Sequence, residues 1–129
     1  MRALLMWITS FLPARVISDN GQPYLERYYV GTLGGTRIYL HRFVGSDPDR
    51  GVHDHPWAWA ASIILAGWYL EETRRGILPV RWFNFLLGDS FHRIIKPDGM
   101  QDVWTLFFHQ AGDVKSWGFM RHLDDGQAL

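Results

Sequence analysis

Apolar positions gather first in one compact run. Ala3–Ile8, followed by Phe11 and Leu12, sits behind Arg2 and stops at Pro13. That run predicts an amphipathic N-terminal helix within residues 1–14 that packs on the rest of the chain. Beyond it the apolar runs shorten, alternate with polar residues, and are bounded by Gly, Pro and Asp, which is the pattern of strands. Strands are expected at Tyr24–Val30, Thr36–Val44, Trp68–Thr73, Val80–Leu87, Phe91–Ile95, Val103–His109 and Lys115–Met120. His53–Leu65 reads as one bent strand or a strand pair that ends at Gly67. Turns are expected at Gly31, Gly34 and Gly35, in the polar loop Gly45–Gly51, and at Gly88–Asp89. About eight short strands between turns predict an all-β barrel or sandwich, with its strands over residues 24–120.

Trp104–Phe108 (WTLFF) is apolar on both faces. Such a strand needs cover on both sides. The N-terminal helix or a second subunit supplies it, and a homodimer is the expectation.

The chain has 129 residues, 47% apolar and 16% aromatic, which suits a single domain over residues 1–129 with its own core. Cysteine is absent, so disulfides and thiolate metal sites are excluded. A metal would have to be held by histidine nitrogen and oxygen donors, unlike structural zinc of the finger type. The formal net charge is zero and the charges are spread, so nucleic acid is not an expected partner. The N-terminal run is too short to span a bilayer. No small-x-small cleavage site follows it, so no membrane association and a cytoplasmic location are expected. Arginine greatly outnumbers lysine, which is read as composition bias before any recognition of oxyanions.

The sharpest chemical feature is His53-Asp54-His55-Pro56-Trp57. Side chains two apart in a strand share a face, so His53 and His55 project together and Asp54 points away. Imidazole nitrogen suits iron, zinc, nickel and copper alike. Continued alternation would put Trp57 and Trp59 on the histidine face as pocket wall, with Tyr69 as a further wall residue. Gly88-Asp89-Ser90-Phe91-His92 is the second feature: a glycine turn launches a strand with His92 early in it. A histidine from a separate strand is what a facial metal site needs as its third ligand. His41, His109 and Glu71 are candidates for a fourth ligand or for groups that orient a ligand imidazole. For His41 and His109 taken singly, a half-buried ring satisfied by hydrogen bonds is the favoured reading. Arg42 and Arg93 each follow a histidine and should point away from the metal. Arg37 and Arg81 are candidates to face a pocket.

These two features resemble the motifs of the cupin superfamily. Its first motif is H-x-H followed by a glutamate and then a glycine; its second is a glycine turn followed by a histidine. The matching stretches here are Gly51 through His53 and His55 to Gly67, and Gly88 to His92, within a resemblance that covers roughly Thr36 to Phe119. The chain is also similar to a group of small bacterial and phage-associated cupin-like proteins with the runs YLHRF, HDHPW and WTLFF. The resemblance implies a double-stranded β-helix, or jelly-roll, barrel with His53, His55 and His92 as metal ligands. One departure stands out: Trp59 and Ala60 occupy the places of the cupin glutamate, which leaves a three-histidine site. Three-histidine cupins resemble the thiol dioxygenases, so Fe(II) is favoured over Zn, Ni or Mn. The expected function is an oxygenase-type reaction on a small-molecule ligand, with a Lewis-acid isomerase close behind. The alternative is a non-catalytic, small-ligand-binding or structural cupin, phage-related in setting.

Overall fold

The computed structural model of the chain describes residues 1–46, 59–87 and 92–110. His53, His55, Trp57, the loop acids Asp47 and Asp49, the Gly88–Asp89 turn and the expected strand Lys115–Met120 lie outside the described residues.

One helix precedes nine strands. The helix is α1 (Arg2–Thr9), and the first strands are β1 (Ala14–Asp19), β2 (Gln22–Leu33) and β3 (Thr36–Phe43). They are followed by β4 (Trp59–Ala66), β5 (Tyr69–Thr73), β6 (Gly76–Val80), β7 (Phe83–Leu87), β8 (His92–Ile95) and β9 (Val103–Gln110). The strands form two sheets, a six-stranded one ordered β1-β2-β3-β9-β4-β7 and a three-stranded one ordered β6-β5-β8. Every pairing among the described residues is antiparallel. This is the two-sheet arrangement expected of a jelly roll.

Several boundaries differ from the sequence expectation, each for a local reason. The helix ends at Thr9 rather than near residue 14, because the Thr9 and Ser10 hydroxyls donate back to the Leu5 and Trp7 carbonyls. Such back-bonding competes with helix propagation, and the residue before Pro13 disfavours helical backbone. The sheet begins at Ala14 rather than Tyr24, because Asn20-Gly21, both at positive φ, closes a tight hairpin between β1 and β2. Gly31 lies inside β2 at a bulge, and the turn into β3 is Gly34-Gly35 alone. The run expected at Val80–Leu87 is divided at Arg81-Trp82, so that β6 and β7 belong to different sheets.

Alternation decides what each strand buries. On the inner face of the large sheet, Leu25, Phe43, Val103 and Ile64 meet Tyr69 and Ile94 of the small sheet to form the main core. On the outer face, α1 and the turn after it lay Leu5, Ile8 and Leu12 over Leu40 and Trp104. Leu106 and Phe108 stay partly exposed on the outer face, while the Trp104 end of WTLFF is thus covered on both sides and Trp104 is fully buried. Each such side chain contributes about 1.5–3 kcal/mol by leaving water.

Asp102, just before β9, fastens the helix to this outer layer. It is 2% exposed and accepts from Arg2 Nε at 2.6 Å, Arg42 Nε at 2.8 Å and Trp104 Nε1 at 3.1 Å. Its backbone carbonyl also accepts from Arg2 Nη2 at 2.9 Å. Gly67 sits against the same clamp with φ +80°. A Cβ there would lie 3.1 Å from the Asp102 carbonyl oxygen, 2.9 Å from Met100 Sδ and 3.2 Å from Arg2 Nη2. Gly67→Ala is therefore expected to cost about 2 kcal/mol, read as a lower midpoint in urea unfolding. A loss under roughly 0.5 kcal/mol would show that the clamp can yield. No helix among the described residues is long and apolar enough to cross a membrane.

Candidate functional site

His92 opens β8, is 3% exposed, and faces the interior with Ile94. The β5–β8 register pairs Thr73 with His92 and Glu71 with Ile94, so Glu71 lies diagonally beside His92 on the same face. Its carboxylate Oε2 is 3.0 Å from His92 Nδ1. Asn84 reaches across from β7 in the large sheet. Its Nδ2 donates to Glu71 Oε2 at 2.6 Å and to Tyr69 Oη at 3.1 Å. Burial works to raise the Glu71 pKa, but the hydrogen bonds from His92 and Asn84 outweigh it and hold the carboxyl below its ordinary value. An ionised carboxylate can only accept, so Nδ1–H donates to it, and in a neutral imidazole so held the lone pair sits on Nε2. Metal-bound histidines are commonly oriented in this way, one ring nitrogen donating to a carboxylate while the other meets the ion.

His41 and His109 sit on the opposite wall. His41 is 5% exposed, stacks on Phe107 with ring centroids 4.4 Å apart, and accepts at Nε2 from Arg27 Nε at 3.1 Å. Burial pushes its pKa well below the usual imidazole value, and the positive Arg27 and neighbouring His109 push the same way. His41 is therefore neutral, with the Arg27 bond on one ring nitrogen. His109 stacks on Tyr39 at 5.5 Å, and its Nδ1 bonds the Gln110 carbonyl. Among the described residues no three of His, Asp and Glu come close enough together to hold a metal ion. His92 with Glu71 and His41 with His109 are thus two separate pairs, and neither completes a ligand set with the other.

Tyr69 is 1% exposed and packs in the core between the two sheets. Trp59 does not face that interior: Ala60 pairs with His109 and takes the inward position, which sends Trp59 outward onto Phe85 at 6.4 Å. Arg42 and Arg93 point away from the interior, the first paired with Asp102 and Glu26, the second with Glu72. Asn84 and Arg27 were not expected at the interior. Asn84 alone had a sequence signal, a polar residue at an inward position of the apolar run Phe83–Leu87.

No family profile and no curated protein sequence matches this chain. Solved structures do. A cupin 2 conserved barrel domain protein from Rhodopseudomonas palustris superposes with a TM-score of 0.65 at 11% identity, over 83% of this chain and 76% of that one. A cupin-2 domain protein from Rhodospirillum rubrum gives 0.61 at 13% identity, over 82% and 73%. FeII HppE gives 0.61 at 11% identity over 78% of this chain, which spans 57% of the HppE chain. Identities this low speak to architecture and not to chemistry. The two antiparallel sheets, their shared core and these likenesses make this chain a cupin-fold protein.

Proposed function

We propose that the chain is a metal-binding cupin that acts on a small molecule through His53, His55 and His92. One observation carries the reading: His92 is buried at the start of an inward-facing strand and is oriented by the ionised Glu71. The donor set suits a divalent metal, because imidazole is available and thiolate is not. Fe(II) is favoured by the three-histidine composition, and the similar fold of FeII HppE is in keeping with it. When bound, such a metal supplies an electrophilic centre with open positions for substrate. Within the chain, Glu71 and Asn84 would fix the His92 ring, and Phe43, Ile64, Tyr69 and Ile94 would keep water from the floor of the site.

An oxygenase-type reaction fits better than acid–base chemistry. Glu71 and His41 are each committed to hydrogen bonds, and His41 is held neutral. A general acid or base needs a proton to exchange near working pH. The same shortage among the described residues favours the second reading, a cupin that binds a small ligand without turning it over.

The test is metal analysis of protein purified without a nickel column, beside the double variant His53→Ala, His55→Ala. The wild type should carry close to one equivalent of metal and the variant almost none. Equal, negligible metal in both would remove the metalloenzyme reading.

A further inference from the structure

A second cluster, on strands β1 to β3, is positive and has no acidic partner among the described residues. Arg15 on the edge strand β1 pairs directly with Arg27 on β2, and Arg27 pairs in turn with His41 on β3. Like charges placed opposite each other across a strand pair are destabilising. Arg37 lies further along β3, in the pairing position opposite His109. The cleft between these strands has a volume of about 200 Å³ and is lined by Pro13, Ala14, Arg15, Arg27, Tyr29 and Tyr39.

Arg27 is the unusual member. Its guanidinium lies over the Tyr39 ring, 4.2 Å from the centroid, and its Nε is spent on His41. Its Nη2 is buried with no hydrogen-bond partner among the described residues. A buried donor left unmade is costly, and more so on a charged group. No ion pair among the described residues involves Arg15, Arg27 or Arg37. Glu26, the acid next to Arg27, points to the other face, where it accepts from Arg42 and Tyr28. Burial lowers the Arg27 pKa, and Arg15 and Arg37 add to that pressure against the opposite pull of the Tyr39 hydroxyl, yet guanidinium stays charged at neutral pH.

We propose that this cleft is an oxyanion site, in which Arg27, flanked by Arg15 and Arg37, holds the carboxylate or phosphate end of a small organic ligand. The guanidinium fork matches the geometry of either group. The anion answers both anomalies, the unmade Nη2 bond and the facing arginines. The site stands independently of the metal centre, since none of its residues belongs to that ligand set.

The test is calorimetry on the full chain, stripped with a chelator and titrated at low salt with inorganic phosphate and, separately, with succinate. At least one anion should bind at a single site, and which one binds distinguishes phosphate from carboxylate recognition. Arg27→Met should weaken that binding roughly ten- to a hundredfold. Arg15→Met should weaken it by roughly threefold through the lost field, and this exposed substitution keeps the test alive if Arg27→Met fails to fold. Arg75→Met removes the same charge from the exposed β5–β6 turn and should change nothing. The proposal is overturned if neither anion binds more tightly than about 10 mM. It is equally overturned if Arg75→Met matches the Arg15→Met loss, or if binding returns only when metal is restored.

Discussion

Asp102→Ala should destabilise the fold by about 3–5 kcal/mol, the range typical of removing one partner from a buried charge cluster. Three donors converge on this carboxylate, and they come from α1, β3 and β9. Removal leaves Arg42 half-buried beside Trp104, with only Glu26, at 3.2 Å, to balance it among the described residues. The Arg2 pair contributes less, because the Arg2 side chain is 41% exposed and its interaction is screened. The helix has the most to lose. It spans eight residues, has no side-chain cap, and carries no acid in its first turn. Isolated helices of that length are marginal in water. The Asp102→Ala protein should therefore show lost amide protection across residues 2–9 as well as a lower urea midpoint. A loss below about 1 kcal/mol would mean that apolar packing of Leu5 on Trp104 holds the helix alone.

The same carboxylate sets a pH dependence. Burial works to raise the Asp102 pKa, but hydrogen bonds from Arg42 and Arg2 outweigh it, so the folded value lies below the ordinary one. The unfolded chain then takes up the proton first as pH falls. The stabilisation is complete above the unfolded value of about 3.9 and disappears as pH drops through the folded one. The stability gap between wild type and Asp102→Ala should thus be constant near neutrality and shrink below about pH 4.

What the sequence revealed depended on how local each signal was. β3 and β9 were legible because TRIYLHRF and VWTLFFHQ are dense in β-branched and aromatic residues. The hairpin β1–β2 was signalled by Asn20-Gly21, yet Ala14–Asp19 is mostly exposed on an edge, so its apolar alternation is weak. Which way Trp59 faces was not legible. Counting alternate positions from His53 put it inward, but the facing is set by the pairing of Ala60 with His109, nearly fifty residues away in sequence. Glu71 could be named from sequence as a ligand or an orienting group. That it lies diagonally beside His92 depends on the β5–β8 register, which no local signal reveals. Arg27 offered no signal at all, because its significance lies in what faces it across two neighbouring strands.

The pairing of Glu71 with His92 gives the largest expected effect on the proposed site. His92→Ala should weaken metal retention by at least about a hundredfold, since one of three proposed ligands is lost, while leaving the barrel folded. Glu71→Gln should weaken it by roughly tenfold, because the amide can still accept from Nδ1 but no longer raises the basicity of the ring. The alternative is that His92 and Glu71 are a structural pair bridging the sheets through Asn84, which already joins β7 to β5. The two accounts separate in one experiment. Competition with a chromophoric chelator reads metal affinity, and urea unfolding of the metal-free proteins reads stability. A metal-orienting role lowers affinity in Glu71→Gln with little change in metal-free stability. A purely structural role lowers metal-free stability in both variants and leaves the affinity of the folded protein within twofold of wild type, which would remove His92 from the ligand set.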